Sequence, residues 1–382
     1  MIFVKSDSSK KDRFSSLTAI LPFFSVALVI FLSVFMVTRG FEHQPVDPAK
    51  DLAWMDRFDT VVDDSLKEAK EAALSVKKQF WLSEDAEKGP APNQDNFGTT
   101  NDPSTLQWLV DDASELLDGQ ETVFSTDVVL HPGSSVTYYL DETIFAVTWK
   151  QKLGTSIYTI SEIKVSHPSQ FRRYLADNTY NSRNFSVPTE MSKAVNAVVG
   201  SSADHYLGRQ YGIIVYDREV KRVDFPEYMD TCFIDGSGNL IFAYAGELTD
   251  MSSAQKFVDD YDVLFSIAFG PILVDNGVRC EPKGYVLGEV NDHYARAALC
   301  QMDDLHYLVV TANYEPGCGK DPTIHDFAEN IQKLGCQKAY ALDGGNTGSI
   351  VMNGNLMNRI PFTTQRLQAD LIYFCTALPE HK

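Results

Sequence analysis

The chain has 382 residues, enough for one large domain with accessory segments, and 44% of them are hydrophobic, which excludes a disordered protein. Its net charge of −19 argues against a nucleic-acid partner, because like charges would repel. The six cysteines include no C-x-x-C pair and no Cys/His set with zinc-finger spacing. Structural zinc is therefore not expected, and free thiols and disulfides remain open alternatives.

The N-terminal part is predicted to anchor the chain in a membrane. Residues 14–38 carry no charged side chain, and a helix of this length reaches about 37 Å, enough to cross a hydrocarbon core of about 30 Å. Basic residues are concentrated in residues 1–13, so the positive-inside rule places that tail in the cytoplasm and the main domain outside the cell. A cleaved signal peptide is the alternative, but the apolar run is long for one and no small-residue cleavage site follows it.

A membrane-proximal amphipathic helix is predicted over residues 48–82, because apolar side chains recur every three or four residues. This helix would either pair with a second copy of the chain through residues 52–80, giving a homo-oligomer, or pack on its own domain. Residues 83–105 are rich in Gly, Pro, Asn and Asp and are predicted to be a linker. The main domain is then expected over residues 106–382.

The first part of this domain combines one helix with several strands. Helical periodicity covers residues 105–117, and Gly119 ends it. β-Branched and aromatic runs then predict strands at 122–130, 135–140, 143–150 and 156–165. A helix that runs into a strand, two hairpins and a further helix are predicted at 191–199, 212–223, 231–244 and 253–261.

The second part is marked by turn residues. Residues 265–277 are predicted to form a hairpin, with strands at 265–269 and 272–274, Gly270-Pro271 between them and a turn at Asp275-Asn276-Gly277. A strand is predicted over 306–311, and a helix follows over 323–334, with Thr323 as its N-cap and Asp326 completing a capping box. Together these elements predict an α+β fold of twisted, mixed β-sheets with covering helices.

A glycine-rich turn joins the last two predicted strands. The strand 339–342 ends at Asp343-Gly344-Gly345-Asn346-Thr347-Gly348, and the strand 349–352 leads into the hairpin signal Asn353-Gly354. Glycines allow positive φ and close approach of a ligand, and their N–H groups can form a nest for an anion such as phosphate. Asp343 is thus the first candidate for a functional carboxylate.

Several segments, in order, resemble the phosphodiester glycosidase family. Leu-Asp-Gly-Gly-Asn-Thr at 342–347 is similar to the family's Leu-Asp-Gly-Gly-Gly-Ser signature, and Gly-Pro-Ile-Leu-Val-Asp-Asn-Gly at 270–277 is similar to its Gly-Pro-x-Leu-Val-x-Asn-Gly. The resemblance covers about residues 155–362. It implies a hydrolase that cleaves a sugar-1-phosphodiester in cell-wall or exopolysaccharide metabolism. Together with the anchor predicted over residues 14–38, the expected protein is a membrane-anchored extracellular enzyme.

The resemblance also implies roles for particular residues. Asp343 is the candidate general base, nucleophile or metal ligand, Asp204 the second carboxylate, and Arg296 the phosphate ligand. The expected substrate-binding residues are His205, Tyr206, Gly344, Gly345, Asn346 and Thr347. No cofactor is assigned, the metal is unknown, and a divalent cation, calcium or magnesium, is left open.

Three departures from the family pattern favour an alternative. Ser202-Ala203 stands where Asn-Gly is usual, Ala312-Asn313 replaces Asp-Gly, and Asn346 replaces the third glycine. A catalytically degenerate module that binds sugar phosphate, or a scaffold of a cell-envelope polysaccharide system, would show such changes.

Overall fold

Nineteen β-strands and four α-helices lie in the part of the chain that the computed structural model describes, residues 88–377 apart from 205, 210, 281–291, 317 and 361–363. The tail, anchor and membrane-proximal helix predicted over residues 1–82 lie outside these residues. Among the described residues no helix has the length and apolarity needed to cross a membrane. The described residues all fall within one compact unit.

The strands form three sheets. The large sheet has the strand order β1-β2-β3-β4-β15-β14-β16-β12-β13, the second sheet β10-β9-β11-β7-β8, and the third sheet β18-β17-β6-β19-β5. The strand bounds are β1 Phe97–Thr100, β2 Val136–Leu140, β3 Ile144–Leu153, β4 Ser156–Val165, β5 Phe171–Leu175, β6 Val199–Ser202, β7 Gly212–Tyr216, β8 Glu219–Asp224, β9 Thr231–Asp235, β10 Leu240–Ala243, β11 Val263–Ile267, β12 Ile272–Asp275, β13 Val278–Arg279, β14 Arg296–Asp303, β15 His306–Asn313, β16 Lys338–Leu342, β17 Ile350–Met352, β18 Asn355–Leu356 and β19 Asp370–Phe374.

The helices are α1 Pro103–Leu117, α2 Pro188–Ala194, α3 Met251–Tyr261 and α4 Ile324–Lys333. Helices α1 and α4 cover one face of the large sheet, where Leu109 and Phe327 pack with Trp149 and Val310. The opposite face packs against the other two sheets, so both faces of β4 are buried. The glycine turn lies at this second interface, because it connects β16 of the large sheet to β17 of the third sheet. The α+β class is confirmed, although each strand pair within the described residues is antiparallel, where mixed sheets were expected.

Local capping and turn signals are confirmed. Thr323 caps α4 and forms the expected capping box with Asp326. Asn353 and Gly354 both have positive φ, of 50° and 69°, and join β17 to β18. These signals are reliable because each depends on atoms only a few residues apart.

The structure departs from two of the predictions about the order of elements. The predicted linker contains β1, which pairs with β2 at the edge of the large sheet. The two strands predicted on either side of Gly270-Pro271 lie in different sheets, since β11 pairs with β9 and β12 pairs with β16. The turn predicted at Asp275-Asn276-Gly277 does join a hairpin, which is formed by β12 and β13.

Residues 122–130 form no strand, despite their β-branched composition. The buried carboxylate of Glu162 accepts hydrogen bonds from the N–H groups of Val123 and Phe124, both at 2.7 Å, and from His306 Nε2 at 2.8 Å. These N–H groups are therefore unavailable for a sheet ladder. Strand β5, by contrast, was not predicted.

Candidate active site

The glycine turn lies against the start of β14. A Cβ atom at Gly344 would lie only 2.4 Å from the carbonyl oxygen of Ala295, so that position has no room for a side chain. Gly345 has a φ of 60°, and its N–H donates to the same carbonyl oxygen at 2.9 Å. The turn is thereby held beside Arg296, the first residue of β14.

Asp343 opens the turn and is nearly buried, with 5% of its surface exposed. Arg209 Nη2 lies 3.9 Å from its Oδ1. Burial raises the pKa of Asp343 to about 6, and the effect is opposed by Arg209, by a hydrogen bond from Thr347 and by Arg366. A carboxyl group with this pKa exchanges a proton near neutral pH, which suits an acid or base in catalysis.

Two arginines that the sequence analysis did not select adjoin this carboxylate. The guanidinium of Arg209 lies 4.4 Å from the centre of the Phe269 ring, and about a quarter of its side chain is exposed. Arg366 is exposed and donates to Thr347 Oγ1 at 3.3 Å. Neither residue belongs to a recognisable local motif, so no signal in the sequence pointed to them.

Arg296 also lies at the turn, as expected. Its Nη2 donates to the carbonyl oxygen of Asp292 at 2.9 Å, and its guanidinium lies 5.9 Å from the centre of the Tyr294 ring. Tyr294 is 47% exposed, and its ring borders Gly345. An exposed aromatic ring at the edge of a polar site is a common platform for an apolar ligand face, and the sequence analysis did not select it.

Asp204 is completely buried and forms part of an ionic cluster with two other side chains. Its Oδ1 lies 2.6 Å from Arg173 Nη2, which also lies 2.6 Å from Asp370 Oδ2. The other oxygen, Oδ2, accepts the N–H of Ala268 at 2.7 Å. Burial, together with the nearby Asp370, raises the pKa of Asp204, and Arg173 opposes this. These partners favour a positioning role for Asp204, since its oxygens are engaged within the protein.

Asp204 nevertheless lies close to Asp343. The carbonyl of Ala203 accepts the N–H of Asp343 at 3.1 Å, and the charge of Asp204 contributes to the raised pKa of Asp343. The structure thus brings both predicted carboxylates together, one at the surface of the site and one beneath it. Arg173 and Asp370 were missed because their pairing joins residues 197 positions apart.

The remaining predicted residues differ in outcome. The expected anion nest is not formed at Gly345, because its N–H is bonded to Ala295. Tyr206 belongs to the core: it is 1% exposed, it stacks on Tyr180, and its hydroxyl accepts the N–H of Asn181. His205 lies outside the described residues.

Two amide oxygens beside the turn have no hydrogen-bond partner among the described residues. These are Oδ1 of Asn346, within the turn, and Oε1 of Gln368, whose amide nitrogen donates to the carbonyl of Thr347 at 2.9 Å. Buried acceptors of this kind suit donors such as sugar hydroxyls. Within the described part of the chain no group of three or more His, Cys, Asp or Glu side chains is arranged to hold a metal ion.

An α+β domain with a near-buried carboxylate, two adjacent arginines and unpaired amide acceptors defines a site for a polar, anionic ligand. The family model described as phosphodiester glycosidase matches residues 192–375, which include Asp204, Arg209, Arg296, Asp343 and Arg366. This part of the chain belongs to the phosphodiester glycosidase family, as the sequence analysis inferred.

Two solved structures are similar to part of the chain. One is a hypothetical protein from Synechocystis, at 13% identity and a TM-score of 0.46, covering 61% of this chain and 62% of that protein. The other is the catalytic domain of zebrafish N-acetylglucosamine-1-phosphodiester alpha-N-acetylglucosaminidase, auto-inhibited by its pro-peptide, at 15% identity and a TM-score of 0.46, covering 68% of this chain and 92% of that chain. This chain therefore spans less than two thirds of the Synechocystis protein. No curated protein matches the sequence significantly.

Proposed function

We propose that this protein hydrolyses the bond between the anomeric carbon of a sugar and the phosphate of a sugar-1-phosphodiester. The observation that carries the proposal is Asp343, a near-buried carboxyl with a pKa raised to about 6, lying 3.9 Å from Arg209 within a family-matched segment. The carboxylate of Asp343 can act at the anomeric carbon, while the guanidinium of Arg209 can bind the phosphate at the other end of the bond that breaks.

The proposed reaction uses one water molecule. The water oxygen attacks the anomeric carbon, its proton passes to Asp343, and the phosphate leaves with the electrons of the carbon–oxygen bond. Arg209, Arg366 and Arg296 stabilise the negative charge on the departing phosphate monoester. A phosphate monoester leaves readily, so a separate general acid is not required. Asn346 and Gln368 accept hydrogen bonds from sugar hydroxyls.

Asp204 is proposed to position the site from below. Its ion pair with Arg173 fixes the segment whose Ala203 carbonyl accepts the N–H of Asp343. In this proposal the expected second catalytic carboxylate becomes a positioning residue.

We further propose that the reaction takes place outside the cell, on sugar phosphates or polysaccharide of the cell envelope, with the chain held in the membrane by residues 14–38. The support for this location is the uncharged segment and the basic residues before it. Self-association through residues 52–80 stays part of the proposal on the same basis.

The test is hydrolysis of a panel of sugar-1-phosphodiesters by the full-length protein, with and without chelator, beside Asp343→Asn. Sugar release by the wild type, reduced by at least about 100-fold in the variant, is expected for the loss of a general base. NMR of the released sugar then reports the mechanism: inversion at the anomeric carbon agrees with a base, and retention would assign Asp343 as the nucleophile.

A binding module without catalysis is the second candidate. Asp204 is paired with Arg173, and Ala312-Asn313 stands where the family has Asp-Gly. Among the described residues, Asp343 is therefore the one carboxylate of the site that is left for catalysis. Binding of a diester by folded protein, with no sugar released under any condition, would establish this candidate and refute hydrolysis.

A further inference from the structure

A polar cavity lies against strands β3 and β4 of the large sheet, apart from the glycine turn. Its volume is about 380 Å³, within the range of small-ligand sites. The residues that line it and matter here are His131, Thr148, Lys150, Thr159, Glu315 and Met357. None of them belongs to the site described above.

The cavity and the glycine turn are aligned by strand register. Thr159 pairs with Thr311, Thr311 with Ala297, and Ala297 with Leu342, the residue before Asp343. Paired residues in antiparallel strands share a face, and three steps between strands amount to about 14 Å. A ligand that reaches both places must therefore extend well beyond a phosphate group.

One segment borders both places. Met357 lines the cavity, and the next residue, Asn358, donates from Nδ2 to the carbonyl of Gly348 at 2.9 Å, at the end of the glycine turn. Tyr314 is 44% exposed and directly precedes Glu315, which lines the cavity. Tyr294, also exposed, borders the turn itself. The two exposed rings thus lie at the same end of the neighbouring strands β14 and β15.

Unpaired hydroxyl groups indicate the chemistry of the ligand. Thr159 is fully buried at the wall of the cavity, and its Oγ1 has no hydrogen-bond partner among the described residues. The same holds for Thr311 Oγ1, across the strand pair, and for Asn313 Oδ1, two residues further along the same face. Unsatisfied buried polar groups are uncommon, and three on adjacent strands point to a polar ligand.

The charges around the cavity compensate one another. Glu315 lies 3.0 Å from Lys150 Nζ and 3.6 Å from His131 Nε2, so its carboxylate is held between them. A lysine paired in this way is a poor partner for a free anion, and one carboxylate paired with a lysine is a poor site for a cation. The cavity therefore favours a neutral ligand with many hydroxyl groups.

We propose that this cavity is a second subsite that binds a neutral sugar unit of an extended substrate. The proposal rests on the proposed function in one respect: the sugar bound here would belong to the same molecule as the phosphodiester at Asp343. The substrate class is then a glycan that carries an internal or terminal sugar-1-phosphodiester, rather than a small free diester.

The key variant is Thr159→Val, which removes the hydroxyl and keeps the shape of the side chain. Since that hydroxyl forms no protein hydrogen bond, the variant should fold as well as the wild type. Thr231→Val is the matched control, because Thr231 is also a buried strand threonine with an unpaired Oγ1, and it lies in β9 of the second sheet.

The first measurement is binding of neutral disaccharides, N,N′-diacetylchitobiose and maltose, to the full-length protein, with inorganic phosphate as the anionic comparison. At least one disaccharide is expected to bind. Thr159→Val should raise its Kd about tenfold, the loss expected for one good hydrogen bond. Thr231→Val should leave that Kd unchanged. Absence of disaccharide binding, equal binding by Thr159→Val, or displacement by phosphate would overturn the proposal.

The second measurement uses hydrolysis and separates the two proposals. Thr159→Val should raise KM for a diester with an oligosaccharide leaving group and leave KM for a diester with a small leaving group unchanged. If disaccharide binds as expected and no diester is cleaved, the hydrolase proposal fails and the subsite stands. If diesters are cleaved and the two KM values respond equally to Thr159→Val, the subsite proposal fails alone.

Discussion

At the scale of single residues, the ionised carboxylate of Asp343 lowers the stability of the fold and can act as a base in catalysis. Burial disfavours its charged form, while Arg209 and Arg366 partly restore it, and the resulting pKa is about 6. The carboxyl group is therefore ionised at neutral pH at the expense of some stability. Both properties can be measured.

Replacement of Asp343 by Asn should stabilise the protein at neutral pH. The pKa of this carboxyl is about 6 in the folded chain and 3.8 ordinarily, so the cost of the buried charge is absent below about pH 4 and complete above about pH 6. Asp343→Asn should raise the free energy of unfolding by up to about 3 kcal/mol at pH 7.5 and hardly change it at pH 4.

Urea unfolding at the two pH values measures this difference. Asp127→Asn, at an exposed position, is the control and should change little at either pH. A variant that is less stable than the wild type at pH 7.5 would mean that the charge of Asp343 is favourable in the fold.

Replacement of Arg209 by Met should shift the pH dependence of hydrolysis. Because Arg209 lowers the pKa of Asp343, its removal should raise that pKa. For a base, kcat/KM rises with pH through about 6 in the wild type, and the midpoint should move upward in Arg209→Met. A pH–rate profile for each protein checks this. Arg209→Lys should keep the midpoint nearer to 6, and a wild-type rate that falls above pH 6 would instead make Asp343 an acid.

At the scale of elements, the glycine turn is fixed by contact with β14 as much as by its own sequence. A side chain at Gly344 would meet the backbone of Ala295, which cannot move without disturbing the start of the strand that carries Arg296. A side chain at Gly348 would meet the Cβ of Ala297 and the Cα of Gly344, both at 3.4 Å, which is ordinary contact.

Gly344→Ala should therefore reduce hydrolysis far more than Gly348→Ala. Displacement of a catalytic group by about 1 Å can cost roughly 100-fold in rate, and a loss of that order is expected for Gly344→Ala. Steady-state kinetics with thermal melts of both variants check this. Equal effects of the two substitutions would show that the contact with Ala295 does not position Asp343.

Features that depend on interactions between neighbours in the sequence could be predicted, and features that depend on distant residues could not. The cap at Thr323 and the turn at Asn353-Gly354 were predictable, because each depends on neighbours within the same segment. Glu162 takes the N–H groups of residues 123 and 124 from almost forty positions away, and no local pattern contains that information. For the same reason Asp343 was found from the sequence, whereas its partner Arg209 was not.

At the scale of the whole molecule, the described domain begins earlier than residue 106. The N–H of Gly89 donates to the carbonyl of Val195 at 3.1 Å, and the ring of Phe97 lies 4.5 Å from that of Tyr139. Strand β1 also covers the edge of β2. These contacts join residues 88–100 to the end of helix α2 and to strand β2.

A fragment that begins at residue 106 should melt at a lower temperature than one that begins at residue 88. The loss of an edge strand, of the ring contact between Phe97 and Tyr139 and of the first turn of α1 with its N-cap Asp102 should lower Tm by roughly 5 °C or more for a domain of this size. Differential scanning calorimetry of the two fragments measures the difference. Coincident melting would restore the prediction of a linker over residues 83–105.

The buried arginine beneath the site has a consequence for how the protein is made. Arg173 binds Asp204, the carbonyl oxygen of Ser266 and Asp370, so its partners leave the ribosome at widely separated times. Synthesis proceeds from the N-terminus, and contacts distant in sequence form late. Asp204 is available to Arg173 long before Asp370 is translated, so the ionic cluster is completed only near the end of synthesis. A chain that ends before Asp370 also lacks β19, the strand between β6 and β5, and should reach neither the native state nor activity.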